Sequence, residues 1–202
     1  MSGVDDLSSA TVHEAPEPCR ACMWWQTRPG RREPDRERWM AATEESFGAW
    51  GKLYRDGDRT VGMIQYGPAE RFARSRVLPG GPPSPDAVLV TCAYLVDERS
   101  PWVLQSLFLA AIGESRDRRF PALEAFAYRY GPGELFASRF MTHRTVFPKD
   151  FLSDFGFHTL RAAGRVELMR LELGGLEPVA ERGRLERVKA RFAPVPARLA
   201  AP

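Results

Sequence analysis

Ala87-Val88-Leu89-Val90-Thr91-Cys92-Ala93-Tyr94-Leu95-Val96, then Asp97-Glu98-Arg99-Ser100-Pro101, then Trp102 to Arg119, and last Ala122-Leu123-Glu124-Ala125-Phe126-Ala127-Tyr128: this stretch decides the fold. Its first segment is a continuous apolar run, which reads as a strand buried on both faces. The charged residues after it form a turn. From Trp102 onward, Leu104, Leu107, Phe108, Ala111 and Ile112 recur at helical spacing, with Glu114, Arg116 and Asp117 beyond the stripe. Ala122–Tyr128 reads as a second strand. Strand, helix and strand at this spacing predict a crossover unit with parallel strands.

The unit resembles the cofactor-binding core of the GNAT acetyltransferase superfamily. Downstream, Phe147-Pro148-Lys149-Asp150-Phe151-Leu152-Ser153-Asp154-Phe155-Gly156-Phe157 is similar to the short helix ending in Gly-Phe that follows the core in that family, and Val166–Leu173 stands where its last strand lies. The resemblance spans roughly Trp39 to Leu173. It implies an α/β fold: a mixed, mainly antiparallel twisted sheet flanked by helices. The expected organisation is a mobile tail over 1–18, a GNAT-like domain over 19–175, and a C-terminal helix with a loose tail over 176–202.

Length and composition agree with one domain. At 202 residues and 44% hydrophobic, the chain can bury one sizeable core. No apolar run approaches the ~20 residues a membrane helix needs, and the first residues lack the basic and apolar regions of a signal peptide, so the cytoplasm is the expected location. The net charge is only +3. Lys52, Lys149 and Lys189 are the only lysines, and the arginines are scattered among acids, as in Asp35-Arg36-Glu37-Arg38. Nucleic-acid binding would call for a one-sided basic stripe.

The first eighteen residues are polar, although Ala10–His13 has the makings of a short strand. Cys19-Arg20-Ala21-Cys22-Met23-Trp24-Trp25 is the most unusual local sequence. A structural zinc site needs a second ligand pair. Cys92 and the dispersed His13, His143 and His158 do not supply one, so free thiols are expected, on a segment anchored by its tryptophans. A helix is expected from about Asp35 to Trp50, with Trp39, Met40, Thr43 and Phe47 on one side. Lys52–Arg55 and Thr60–Tyr66 flank Asp56-Gly57-Asp58 and read as a hairpin. The prolines at 79, 82, 83 and 85 stiffen the loop before the core strand. In the tail, Pro178–Phe192 reads as a helix that could meet a partner chain or a second copy.

The resemblance also implies a chemistry: transfer of an acyl group from acetyl-CoA to a small-molecule or protein amine. Family members hold the cofactor diphosphate on backbone N–H groups at the start of the helix after the fourth strand, in the pattern Arg/Gln-x-x-Gly-x-Gly/Ala. Carried onto this chain, the cofactor residues are Tyr94, Leu95, Val96, Arg99, Ser100, Trp102, Val103 and Leu104. The two motif glycines fall on Trp102 and Leu104, and no glycine occurs between Gly81 and Gly113. Ser100-Pro101 suits an N-cap and first helical turn instead. The family's tyrosine acid falls on Leu152. Glu124 is the candidate general base. Trp39, Phe47 and Tyr128 are the candidate acceptor-pocket residues. Two readings follow: an N-acetyltransferase, or a GNAT-fold protein that has lost catalysis and serves as a binding, regulatory or assembly module.

Overall fold

A computed structural model of the chain describes residues 2–97, 100–131 and 145–174. Eight strands form one sheet: Ser2–Asp6 (β1), Gly51–Asp56 (β2), Arg59–Pro68 (β3), Ala87–Leu95 (β4), Ala122–Tyr128 (β5), Phe147–Pro148 (β6), His158–Ala163 (β7) and Val166–Glu172 (β8). Their order is β1-β2-β3-β4-β5-β8-β7, with β6 on the side of β5. Helices Glu17–Arg20 (α1), Arg36–Ser46 (α2), Pro101–Asp117 (α3) and Lys149–Asp154 (α4) cover it. All neighbours along the path are antiparallel except β4 and β5, which are parallel as the crossover predicts.

α3 starts at Pro101, whose missing N–H is no loss at a helix start. It buries Val103, Leu104, Leu107, Phe108 and Ala111 against one face of the sheet. Gly62 of β3 permits this close approach. A Cβ there would stand 2.6 Å from Val103 Cγ1, so only glycine fits beneath α3. Phe108 then meets Phe147, Phe151 and Phe155 at ring-centroid distances of 4.9, 5.0 and 5.5 Å, which docks α4 on the same face. Each large side chain buried here contributes about 1.5–3 kcal/mol.

β4 carries a bulge. Its register against β3 steps from Val90 opposite Tyr66 to Cys92 opposite Gln65, leaving Thr91 as the extra residue. The bulge shifts the side-chain alternation. Val88, Val90, Ala93 and Leu95 all join the α3-side core, whereas Leu89, Cys92 and Tyr94 face the side that carries α2.

The N-terminal segment departs from the sequence reading. Residues 1–18 were expected to be a mobile tail, but Ser2–Asp6 pairs with β2 from Ser2↔Asp56 to Asp6↔Lys52. Leu7 is fully buried beside Met40, Trp50 and Leu53, so the folded unit begins well before residue 19. The strand expected at Ala10–His13 is instead a 3-10 turn at Val12–Glu14. Every β1 side chain is exposed, which hides the strand from a hydrophobic reading. The expected α2 is shorter than its prediction. Asp35 caps it, accepting from Arg38 N at 2.8 Å, and it ends just before Gly48, whose φ is 91°. The Asp56-Gly57 turn closes the β2–β3 hairpin with Gly57 at φ 59°. The C-terminal helix expected at 178–192 lies outside the described residues.

Candidate functional site

Parallel pairing of β4 with β5 lasts only from Ala87↔Ala122 to Val90↔Ala125. Beyond that the strands part. β4 continues to Leu95 along β3, while the end of β5 takes β6 as its parallel neighbour, Ala127↔Phe147 and Tyr128↔Pro148. The sheet therefore divides where the resemblance expects a cofactor to lie. Three cofactor candidates lie along or just past this part of β4. Leu95 is buried in the α3-side core, Tyr94 is half-buried on the other face, and exposed Val96 donates its N–H to Val61 O at 3.0 Å.

At the start of α3, three of the described residues offer no free backbone donor to a diphosphate. Ser100 N–H donates to Asp97 O at 3.2 Å, Pro101 has no N–H, and Val103 N–H donates to Ser100 O at 3.0 Å. Of the described residues at this turn, Trp102 and Leu104 keep backbone N–H groups without one of these assignments, and the Trp102 side chain is 46% exposed there. Leu104 is placed differently. It occupies a motif-glycine position, but its side chain is fully buried in the core and faces no ligand. Val103 is likewise a core residue, and Arg99 lies outside the described residues. A diphosphate needs several converging donors at a helix start. Among the described residues of this turn, only the Trp102 and Leu104 N–H groups are left for one.

The acid–base candidates are also occupied. Glu124 sits opposite Leu89, one pair before β4 and β5 part. Its side chain is fully buried, Oε1 accepts from Arg170 Nη1 at 3.0 Å, and Oε2 accepts from Ser84 N at 2.9 Å. A carboxylate so held has no oxygen turned toward a substrate proton. Arg170 also binds Asp86 and Glu172, and its hydrogen bond holds the Asp86 carboxyl below the usual range. Leu152, at the family's acid position, is fully buried. Tyr66 offers no replacement. Its phenol donates to Glu114, and burial, reinforced by that carboxylate, raises its ionisation far above the tyrosine range. Glu114 also pairs with Lys52 and Arg118.

The three acceptor-pocket candidates do not converge. Phe47 packs in the α3-side core against Tyr66 and Phe120, under the Arg118 guanidinium. Tyr128 packs at a tilt against Tyr130, ring centroids 4.8 Å apart, at the far end of β5. Trp39 lies on the opposite face, its Nε1 donating to Arg71 O at 2.8 Å and its ring edge-on to Trp50 at 5.4 Å.

Trp39 does border a small cavity of about 20 Å³ between α2, the N-terminal segment and the face of β3. Met23, Met40 and Met63 supply thioethers to its wall, and the Cys19–Cys22 turn lies at its edge, with Cys22 exposed. None of Cys19, Cys22 and Cys92 is in a disulfide. Two buried polar atoms in this lining have no partner among the described residues: Trp50 Nε1 and Gln26 Oε1. Gln26 is oriented by its other amide atom, Nε2, which donates to Gln65 Oε1 at 3.4 Å; Thr91 Oγ1 lies 3.1 Å from the same oxygen. Sequence reading passed over Trp50, Gln26 and Gln65. Met63 and Gln65, two apart on β3, were the available signal, since period two puts them on one face.

No family model and no curated protein matches the sequence. Solved structures with similar folds include the ribosomal-protein-S18-alanine N-acetyltransferase from Escherichia coli, at 9% identity and TM-score 0.47, covering 88% of this chain and 97% of that one. An N-acetyltransferase from Staphylococcus aureus Mu50 is 11% identical with TM-score 0.49, covering 86% and 99%. The PaiA N-acetyltransferase from Thermoplasma acidophilum, solved in complex with coenzyme A, is 12% identical with TM-score 0.48, covering 85% and 99%. These are likenesses of fold, and the chemistry must come from this chain's own residues. The order of elements, the parallel β4–α3–β5 crossover and the parting of its two strands make the architecture GNAT-like.

Proposed function

We propose that this chain is a GNAT-fold binding module in which the acetyl-CoA site has lapsed. The observation that carries the reading is the first turn of α3, where Ser100 N–H and Val103 N–H are bonded within the chain, Pro101 has no donor and Trp102 stands in a glycine's place. Glu124 in its ion pair and Leu152 in the core support the same conclusion. The test is a calorimetric titration of the full chain with acetyl-CoA. The expected result is no saturable binding into the millimolar range. Micromolar binding, with amide resonances of the α3 first turn shifted by NMR, overturns it.

One observation favours a second reading, an acyl-CoA-dependent N-acetyltransferase acting on a small or protein amine. β4 and β5 part beyond Val90 and Ala125, leaving a divide in the sheet where an extended ligand would lie. The same titration separates the two. An enzyme must bind the donor and release free thiol when an amine is supplied, whereas a lapsed module does neither.

A further inference from the structure

Cys19 and Cys22 stand where α1 ends, and the backbone holds them in one turn, with Cys22 N donating to Cys19 O at 3.2 Å. The first and last residues of such a turn have Cα atoms less than about 7 Å apart, which matches the ~4.4–6.8 Å that a disulfide spans. The turn is fastened on both sides. Ala15 is buried before it, and Met23 and Trp25 are buried after it, with Trp25 stacked on Phe126. Arg20, between the two cysteines, donates to Ala15 O at 2.7 Å, and Arg36 donates to Arg20 O. Two thiols fixed in this way meet at high effective concentration.

The two sulfurs differ in access, as an exchange reaction requires. Cys22 is exposed, so an incoming molecule can reach it. Cys19 is half-buried against the core around Leu7, Met40 and Trp50. Both border the small cavity beside Trp39, which gives the Cys19 side chain space in which to turn. Cys92 is a bystander. Burial pushes its thiol well above the ordinary cysteine value, and its neighbours Cys19 and Cys22 add to the shift; a thiol held protonated is a poor nucleophile. Among the described residues no group of three or more His, Cys, Asp or Glu is placed to hold a metal ion. A structural zinc site needs four ligands, so the pair stands as a dithiol.

We propose that Cys19 and Cys22 form a reversible dithiol–disulfide site that exchanges with small-molecule disulfides of the glutathione type. Cys22, as the thiolate, attacks one sulfur of the incoming disulfide. A bond forms between that sulfur and Cys22 Sγ, the small molecule's S–S bond breaks, and one thiolate leaves. Cys19 then gives its proton to water and attacks Cys22 Sγ, the mixed S–S bond breaks, and the second thiolate leaves. The protein loses two electrons and two protons, and the small disulfide gains them as two thiols. An excess of the reduced small thiol drives the same steps backward. No step involves the start of α3, so the site stands or falls independently of the acetyl-CoA reading.

The test equilibrates the full chain, purified under reductant, in glutathione buffers of graded reduced-to-oxidised ratio. Acid quenching, alkylation and mass spectrometry then count the free thiols among the three cysteines. In excess oxidised glutathione only Cys92 is expected to be alkylated, with a Cys19–Cys22 link found by peptide mapping. Excess reduced glutathione is expected to return all three thiols. Cys19→Ser is expected to stop at a mixed disulfide on Cys22, and Cys22→Ser to slow the reaction with oxidised glutathione about tenfold or more. Cys92→Ser is expected to leave the link unchanged. A folded wild-type chain that keeps three thiols in excess oxidised glutathione overturns the proposal. So does a stable mixed disulfide in place of the internal bond, a link made to Cys92, or one equivalent of zinc carried on the pair through purification. The wild-type titration decides the matter even if no variant folds.

Discussion

Glu124 and Arg170 are directly opposed on β5 and β8, and the pair separates a structural role for the carboxylate from a catalytic one. Arg170→Met removes the guanidinium and leaves a fully buried carboxylate with Ser84 N as its remaining described donor. Breaking a buried pair from one side costs about 3–5 kcal/mol. In a chain of this size that corresponds to a fall in Tm of roughly 6–20 °C. Glu124→Gln keeps the shape and an acceptor but turns an NH2 toward one of its two donors, so its cost is smaller, about 1–3 kcal/mol. Arg170 stays paired to Asp86 and Glu172 in that variant. The double variant Glu124→Leu/Arg170→Met removes both charges together and leaves exposed Asp86 and Glu172 to solvent. Its loss is expected to fall well short of the sum of the separate Glu124→Leu and Arg170→Met losses, with a coupling of at least about 2 kcal/mol. Urea unfolding followed by far-UV circular dichroism measures all the variants against wild type. An Arg170→Met chain within about 0.5 kcal/mol of wild type refutes the reasoning, and so do single losses that add in the double variant. A general base behaves differently: Glu124→Gln would leave stability intact and lower an acyl-transfer rate about 10²–10⁴-fold.

Acid unfolding should report on Glu167. Burial alone would raise this carboxyl, but hydrogen bonds from Lys149 and Thr159, with the charges of Lys149 and Arg129, hold it below the usual range. Its folded-state value is depressed, so its stabilisation is present above the ordinary glutamate value of about 4.3 and is lost as pH falls through the folded value. Glu167→Gln is therefore expected to lower Tm at pH 7 and to flatten the decline of Tm below pH ~4; a wild-type slope retained in the variant contradicts this. At the start of α3, Trp102→Ala is expected to change stability by less than about 1 kcal/mol, whereas Leu104→Ala costs about 2–5 kcal/mol. Equal losses in urea unfolding would contradict the placement of these side chains. Leu7→Ala is likewise expected to cost about 2–5 kcal/mol, and a negligible loss would mean that the N-terminal segment is a free tail. Gly62→Ala, which drives a Cβ into Val103, should cost about 1–3 kcal/mol, and Val103→Ala in the same chain should recover part of it; no recovery would place the strain elsewhere.

What the sequence disclosed follows from what was buried. β4, α3 and β5 lie in the interior, so their apolar runs and helical stripe were legible, as was the parallel crossover between them. The outer strands were not. All six side chains of β7 and all five of β1 are exposed, and a strand without an apolar face gives no alternation to read. The Thr91 bulge was hidden for the opposite reason: with apolar residues on both sides of β4, a one-residue shift of face leaves the hydrophobic pattern unchanged. Yet that shift turns Cys92 and Tyr94 toward the α2 side, near the Gln65–Thr91 hydrogen bond that orients Gln26. The site was less legible than the fold because its determinants are pairings across long separations. Glu124 looks like a free carboxylate until Arg170, 46 residues away, is set beside it. Gln26 looks like a surface amide until Gln65, 39 residues on, takes its NH2 and leaves its oxygen without a described partner. Residue type and spacing narrowed the chemistry to acids, bases and anion cradles. Three-dimensional pairing removed Glu124 from that set.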